Sequence, residues 1–124
     1  MAGVSETLAN ELYEEAIKLN MTVIVEVHTV EEAKQALKFK SALIGINNRN
    51  LKTLKTNVKT TFDLYKLLIN HAGPIVCESG ISSEKQVEEI VRKTNINNFL
   101  IGESLLKDLD KNSTLLKKIT QIRA

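Results

Sequence analysis

The sequence predicts an α/β fold in which four parallel strands alternate with amphipathic helices. Three observations predict it. Four short apolar runs, Val23-Ile24-Val25, Ile44-Gly45-Ile46, Ile75-Val76-Cys77 and Phe99-Leu100-Ile101, read as buried strands. Segments with apolar residues at helical spacing separate them, and that interleaving belongs to a parallel sheet covered by helices. Each run also ends in polar groups: Glu26 and His28, then Asn47 to Asn50, then Glu78 and Ser79, then Gly102, Glu103 and Ser104. Open α/β folds and α/β barrels build their sites at the C-terminal ends of strands, so this recurrence reads as an active-site rim.

The elements follow in order. Leu8, Leu12, Ala16 and Leu19 give a first helix over 6–19, with Ser5 as N-cap. Thr22 to Val27 is β-branched and strand-like. Thr29-Val30-Glu31-Glu32 is a capping box that opens a helix with Ala33, Ala36 and Leu37 inward. Ala42 to Ile46 is the second strand, and a loop rich in Asn, Lys and Thr runs to about Lys59. Thr60 opens a helix carrying Phe62, Leu64, Leu67 and Leu68. Pro74 precedes the strand Ile75 to Cys77. Ser82 or Ser83 caps a helix with Val87, Ile90 and Val91 inward, and Asn98 to Ile101 is the fourth strand. A short helical stretch, Glu103 to Leu106, and a last helix with Leu115, Leu116, Ile119 and Ile122 complete the chain. No linker divides it, so 1–124 is expected to be a single domain.

Composition narrows the function. Seventeen basic and fifteen acidic residues give a net charge of +2, too balanced to argue for nucleic acid. Aromatics are 4% with no Trp, which weighs against base stacking. No apolar stretch is long enough to span a bilayer, and Met1 to Ser5 lacks the regions of a signal peptide. The single cysteine, Cys77, excludes an intramolecular disulfide, so a reducing, cytoplasmic setting is expected.

The strand-end residues carry the chemistry. Glu26 shares a face with Ile24 and suits base chemistry if that face lines a barrel mouth; otherwise it is a solvated strand-end acid. His28 has no second His at ligand spacing, so no metal is expected, and a structural role outweighs a catalytic one. Asn47, Asn48, Arg49 and Asn50 look like recognition of a polar ligand, although one or two Asn residues suit turns. Arg49 offers a planar fork to a carboxylate or phosphate. Gly80 lets backbone amides approach an anion, and Gly102 precedes a helix N-terminus; in barrels the last two loops often share a phosphate site. Cys77 faces away from Glu78 and reads as a small buried residue packed against helices.

With these residues assembled, nearly the whole chain resembles the C-terminal half of indole-3-glycerol-phosphate synthase. The matching segments are Val25-Glu26-Val27-His28, Ile44-Gly45-Ile46-Asn47-Asn48-Arg49-Asn50-Leu51, Glu78-Ser79-Gly80-Ile81 and Phe99-Leu100-Ile101-Gly102-Glu103-Ser104-Leu105. The resemblance implies half of a (β/α)8 barrel, strands five to eight, since a whole barrel needs about 250 residues. It implies catalytic roles for Glu26, Asn47, Glu78 and Ser79, substrate contacts at Arg49 and Leu51, and phosphate contacts at Gly80, Gly102 and Glu103. The family often has Ser at the Glu103 position, so only a backbone amide would serve there. Asn95 stands where a turn Gly is usual, and Asn57 where the family often has Asp. No cofactor is implied.

The family's general-acid lysine lies on strand three, and another catalytic Glu and Lys on strand one. None is in these 124 residues, and Lys38, Lys40 and Lys52 are wrongly placed to replace them. The expectation is a truncated enzyme that is inactive alone. The rival expectations are a module that binds a phosphorylated ligand without catalysis, and a half-barrel that works only by assembly. A half-barrel also leaves two sheet edges and an apolar inner face, so self-association, or pairing with the missing N-terminal half, is expected.

Overall fold

The computed structural model describes residues 5–101. Eight elements follow one another: α1 (Glu6–Lys18), β1 (Ile24–Val27), α2 (Val30–Ala36), β2 (Leu43–Asn47), α3 (Lys59–Leu68), β3 (Ile75–Glu78), α4 (Glu84–Thr94) and β4 (Asn98–Leu100). Gly102, Glu103, the short stretch to Leu106 and the expected last helix lie outside the described residues.

The helix starts are set by local chemistry. Ser5 Oγ accepts the Leu8 amide at 3.2 Å and opens α1. Thr29 Oγ1 accepts the Glu32 amide at 3.2 Å, while the Glu32 carboxylate reaches back to the His28 amide at 2.6 Å. That is one residue further than an ordinary capping box. Ser83, and not Ser82, caps α4: its Oγ accepts the Gln86 amide at 3.3 Å. Gln86 in turn accepts the Ser82 amide at 2.7 Å. α4 ends at Asn95 with φ 60°. Asn, like Gly, tolerates this left-handed position, which is why Asn can stand where a turn Gly is usual.

The strands form one parallel sheet in the order β1-β2-β3-β4. Each crossover therefore moves one strand over in the same direction, as in a barrel; a doubly wound sheet would reverse. One face carries Val25, Val27, Ile44, Ile46 and Cys77, all buried in a core with α2, α3 and α4. The other carries Ile24 and Leu100, which are 51% and 57% exposed. Among the described residues, helices cover one side only. The fold is a partial α/β barrel of four parallel strands.

Two helices depart from expectation. α1 buries no residue, and Leu8, Leu12 and Leu19 stay exposed. Its supports are Tyr13 and Ala9 against the core, the Tyr13–Phe39 edge-to-face contact at 4.9 Å, and a Lys38–Glu6 ion pair. In α3 the buried residues are Thr61, Leu64 and Leu68, with Phe62 and Leu67 half-buried. The core-facing side is thus turned toward a hydroxyl residue, because Thr61 finds buried hydrogen-bond partners.

Candidate active site

The strand register brings two carboxyl groups together across a glycine. Glu26 lies opposite Gly45, and Asn47 opposite Glu78. β1 and β3 are separated by β2, so their side chains meet only where β2 leaves room. Gly45 leaves it. A Cβ at Gly45 would stand 2.7 Å from Glu78 Cδ and closer still to Oε1. Glu78 folds its carboxyl into that slot and is 2% exposed. Among the described residues, no amide, hydroxyl or cation reaches either of its oxygens. Burial pushes the Glu78 carboxyl up to about 8, and the hydrogen bond to Glu26 and Coulombic repulsion from it add to the effect. Near neutral pH the buried Glu78 carboxyl therefore favours its protonated form.

Asn47 stands beside this pair at the end of β2. Its Oδ1 accepts the Arg49 amide at 2.9 Å, which turns the chain out of the strand. Arg49 Nη1 donates to Leu54 O at 2.8 Å, and Arg49 and Thr56 form an antiparallel bridge. Asn50 Oδ1 accepts the amides of Lys52 and Thr53 at 2.8 and 3.1 Å. Asn57 Oδ1 accepts the Lys59 amide at 2.9 Å, a bond an Asp would make equally. Leu51 is exposed in this loop. Loop and α2 start enclose an open cavity of about 610 Å³ lined in part by His28, Asn47, Arg49, Leu51, Lys52 and Lys55. Its cations suit an anionic ligand.

Of the four polar residues after Ile46, two serve structure. Asn48 is 3% exposed and bonded on every side, and Asn50 caps the loop turn. His28 is tied to Glu32, Nδ1 to Oε2 at 3.2 Å, and its Nε2 is buried without a partner. Ser79 and Gly80 follow Glu78 with φ 63° and 74°. A side chain at Gly80 would be strained and would meet Thr56 Cβ at 3.2 Å and Asn48 Cβ at 3.3 Å. Cys77 is buried on the helix side, and burial raises its thiol pKa, which keeps it inert.

The structure thus gathers Glu26, Asn47, Glu78, Ser79 and Gly80 at one end of the sheet, with Arg49 and Leu51 on the adjoining loop. Gly102 and Glu103 lie outside the described residues. Sequence reading missed the part of Gly45, although a glycine inside a strand run is a sign of close approach. It also missed Thr61, for which the sequence carries no signal. Among the described residues, no group of three His, Cys, Asp or Glu stands close enough to hold a metal ion. None of the described helices is long and apolar enough to cross a membrane.

Comparison with known proteins gives the same reading. The family model described as indole-3-glycerol phosphate synthase matches residues 1–118. The chain is similar to the indole-3-glycerol phosphate synthases of Burkholderia multivorans and Burkholderia ambifaria, each 41% identical over 106 residues. That of Burkholderia lata is 40% identical over 106 residues. These matches cover 86% of this chain, and the chain spans 40% of the length of those relatives.

Proposed function

The chain belongs to the indole-3-glycerol phosphate synthase family, and from that premise we propose that it supplies the strand-five-to-eight half of a site that closes and decarboxylates carboxyphenylamino-deoxyribulose phosphate. The observation that carries this is the carboxyl pair Glu26–Glu78 over Gly45, beside Asn47 and the Ser79–Gly80 turn. The Ser79–Gly80 backbone takes the phosphate, and the family resemblance adds Gly102 and Glu103 to that role. Arg49, Leu51 and Asn47 orient the anthranilate end. Glu78 gives a proton and Glu26 takes one up while the ring closes and carbon dioxide and water leave. A buried carboxyl raised toward neutrality beside a second carboxyl group suits such general acid–base steps.

The family's lysines are absent from these residues, so we propose that the 124-residue chain alone is catalytically silent. Losing a general acid typically removes about 10² to 10⁴ in rate. Among the described residues the inner face, with Ile24 and Leu100, is uncovered and the edges of β1 and β4 have no strand neighbour, which supports a partner: a complementary N-terminal half-barrel or a second copy. A cytoplasmic setting belongs to the same reading, with Cys77 kept as a thiol.

The test is complementation. The chain is mixed with a separately produced N-terminal half from one of the similar enzymes, and indole-glycerol phosphate is followed by fluorescence. We expect no turnover from either half and turnover from the mixture, lost in Glu26→Gln and reduced in Glu78→Gln. Turnover indifferent to both substitutions would refute the assignment. Binding of phosphate with no complementation would favour the non-catalytic module.

A further inference from the structure

We infer that Asn48 is a positioning residue that locks the Ser79–Gly80 turn to the Arg49 loop, so that the two ends of the substrate site keep a fixed separation. The inference rests on the phosphate reading above. Four polar groups of Asn48 reach three different elements. Its amide donates to Glu78 O at 2.9 Å, and its carbonyl accepts the Asn57 amide at 2.9 Å. Nδ2 donates to Ser79 O at 3.0 Å and to Cys77 Sγ at 3.3 Å. Oδ1 accepts the Thr61 amide at 3.1 Å and Thr61 Oγ1 at 2.8 Å. The orientation of the side-chain amide follows from its partners: a backbone N–H faces one end and a carbonyl the other.

The place of these bonds gives them their effect. Ser79 is a non-glycine residue in the left-handed region, directly before Gly80 in the same region. Such a backbone persists only where its surroundings hold it. The Nδ2 bond to Ser79 O is a side-chain hold on that turn, and the Asn48 Cβ lies under Gly80. On its other side, Asn48 closes the loop from Arg49 to Asn57 and seats the first turn of α3. A ligand that orders the turn must then also order the loop, because both are bonded to one buried, fully satisfied residue.

Amide exchange in the unmodified 124-residue chain, with and without inorganic phosphate, tests this. We expect phosphate to slow exchange at Gly80 and also at the Asn57 and Thr61 amides, by about threefold or more, with the Ala42 amide at the opposite end of β2 unchanged. Isothermal titration with phosphate adds a second reading. Asn48→Ala should weaken phosphate binding by about tenfold or more, the scale of a buried hydrogen bond. Thr94→Val removes a buried hydroxyl remote from the turn, bonded to Ile90 O and the Ile96 amide, and should lower urea stability with phosphate affinity unchanged. Protection confined to Ser79, Gly80 and Ile81 overturns the inference and leaves the phosphate reading intact; so does unaltered affinity in Asn48→Ala. No phosphate binding by the unmodified chain removes both. If Asn48→Ala fails to fold, the exchange data decide.

Discussion

Replacing Glu78 by Gln should stabilise the folded chain, and only above mildly acidic pH. The Glu78 carboxyl rises from 4.5 to about 8 on folding. A carboxyl whose folded value is raised stabilises the fold fully below the unfolded value. That contribution is lost as pH rises from near 4.5 to about 8 and stays lost above. At pH 7 the unfolded group has released its proton while the folded one keeps it, a difference of about 3 kcal/mol against folding. Glutamine has the same shape, carries no charge and can donate its N–H to Glu26. The assay is urea unfolding of the parent chain and Glu78→Gln at pH 4, 6, 7 and 8. The two should coincide at pH 4 and separate progressively to pH 8, with the variant the more stable. Equal stability at pH 8, or a gap that does not depend on pH, would show that the carboxyl slot over Gly45 does not hold Glu78 as described.

Three further expectations follow from named contacts. Gly45→Ala places a methyl on the Glu78 carboxyl, so Glu78 must swing out; complemented turnover should fall by about 10²-fold, and the pH dependence of stability should flatten. Asn95→Ala should cost about 1 kcal/mol, and Asn95→Gly should be neutral or gain a few tenths, because the residue sits at φ 60°; thermal melts read both. Ile24→Lys puts a charge on the uncovered face beside the β1 edge; light scattering at micromolar concentration should show an associated parent chain and a monomeric variant, and a monomeric, well-folded parent would contradict the proposed partner.

Much of the fold was legible because short-range physics wrote it into the chain. Ser5, Thr29 and Ser83 stop and start helices by side-chain bonds that span only three residues. The apolar runs around Val25, Ile44, Val76 and Phe99 are strands because both their faces are to be covered. The site was legible for a related reason: parallel strands deliver their C-terminal residues to one rim, so Glu26, Asn47 and Glu78 could be grouped before any distance was known. What failed was the reading of faces beyond the strand. α1 was legible as a helix from its leucine spacing, yet those leucines remain exposed, since a periodic pattern names an apolar face without naming what covers it.

The sequence by itself determined the element order, the parallel sheet, the family and the residues at the rim, all of which depend on neighbours in the chain or on recurring motifs. Tertiary structure alone decided the rest. It showed that Asn48 turns inward to Thr61, Cys77 and Ser79, residues 13 to 31 positions away. It showed that Gly45 is a slot, because the carboxyl that fills it comes from the neighbouring strand. It gave Glu78 its tightly held proton, because burial and the approach of Glu26 are properties of the packed sheet. Desolvation and cross-strand contact arise only when distant segments meet, and no local pattern records them.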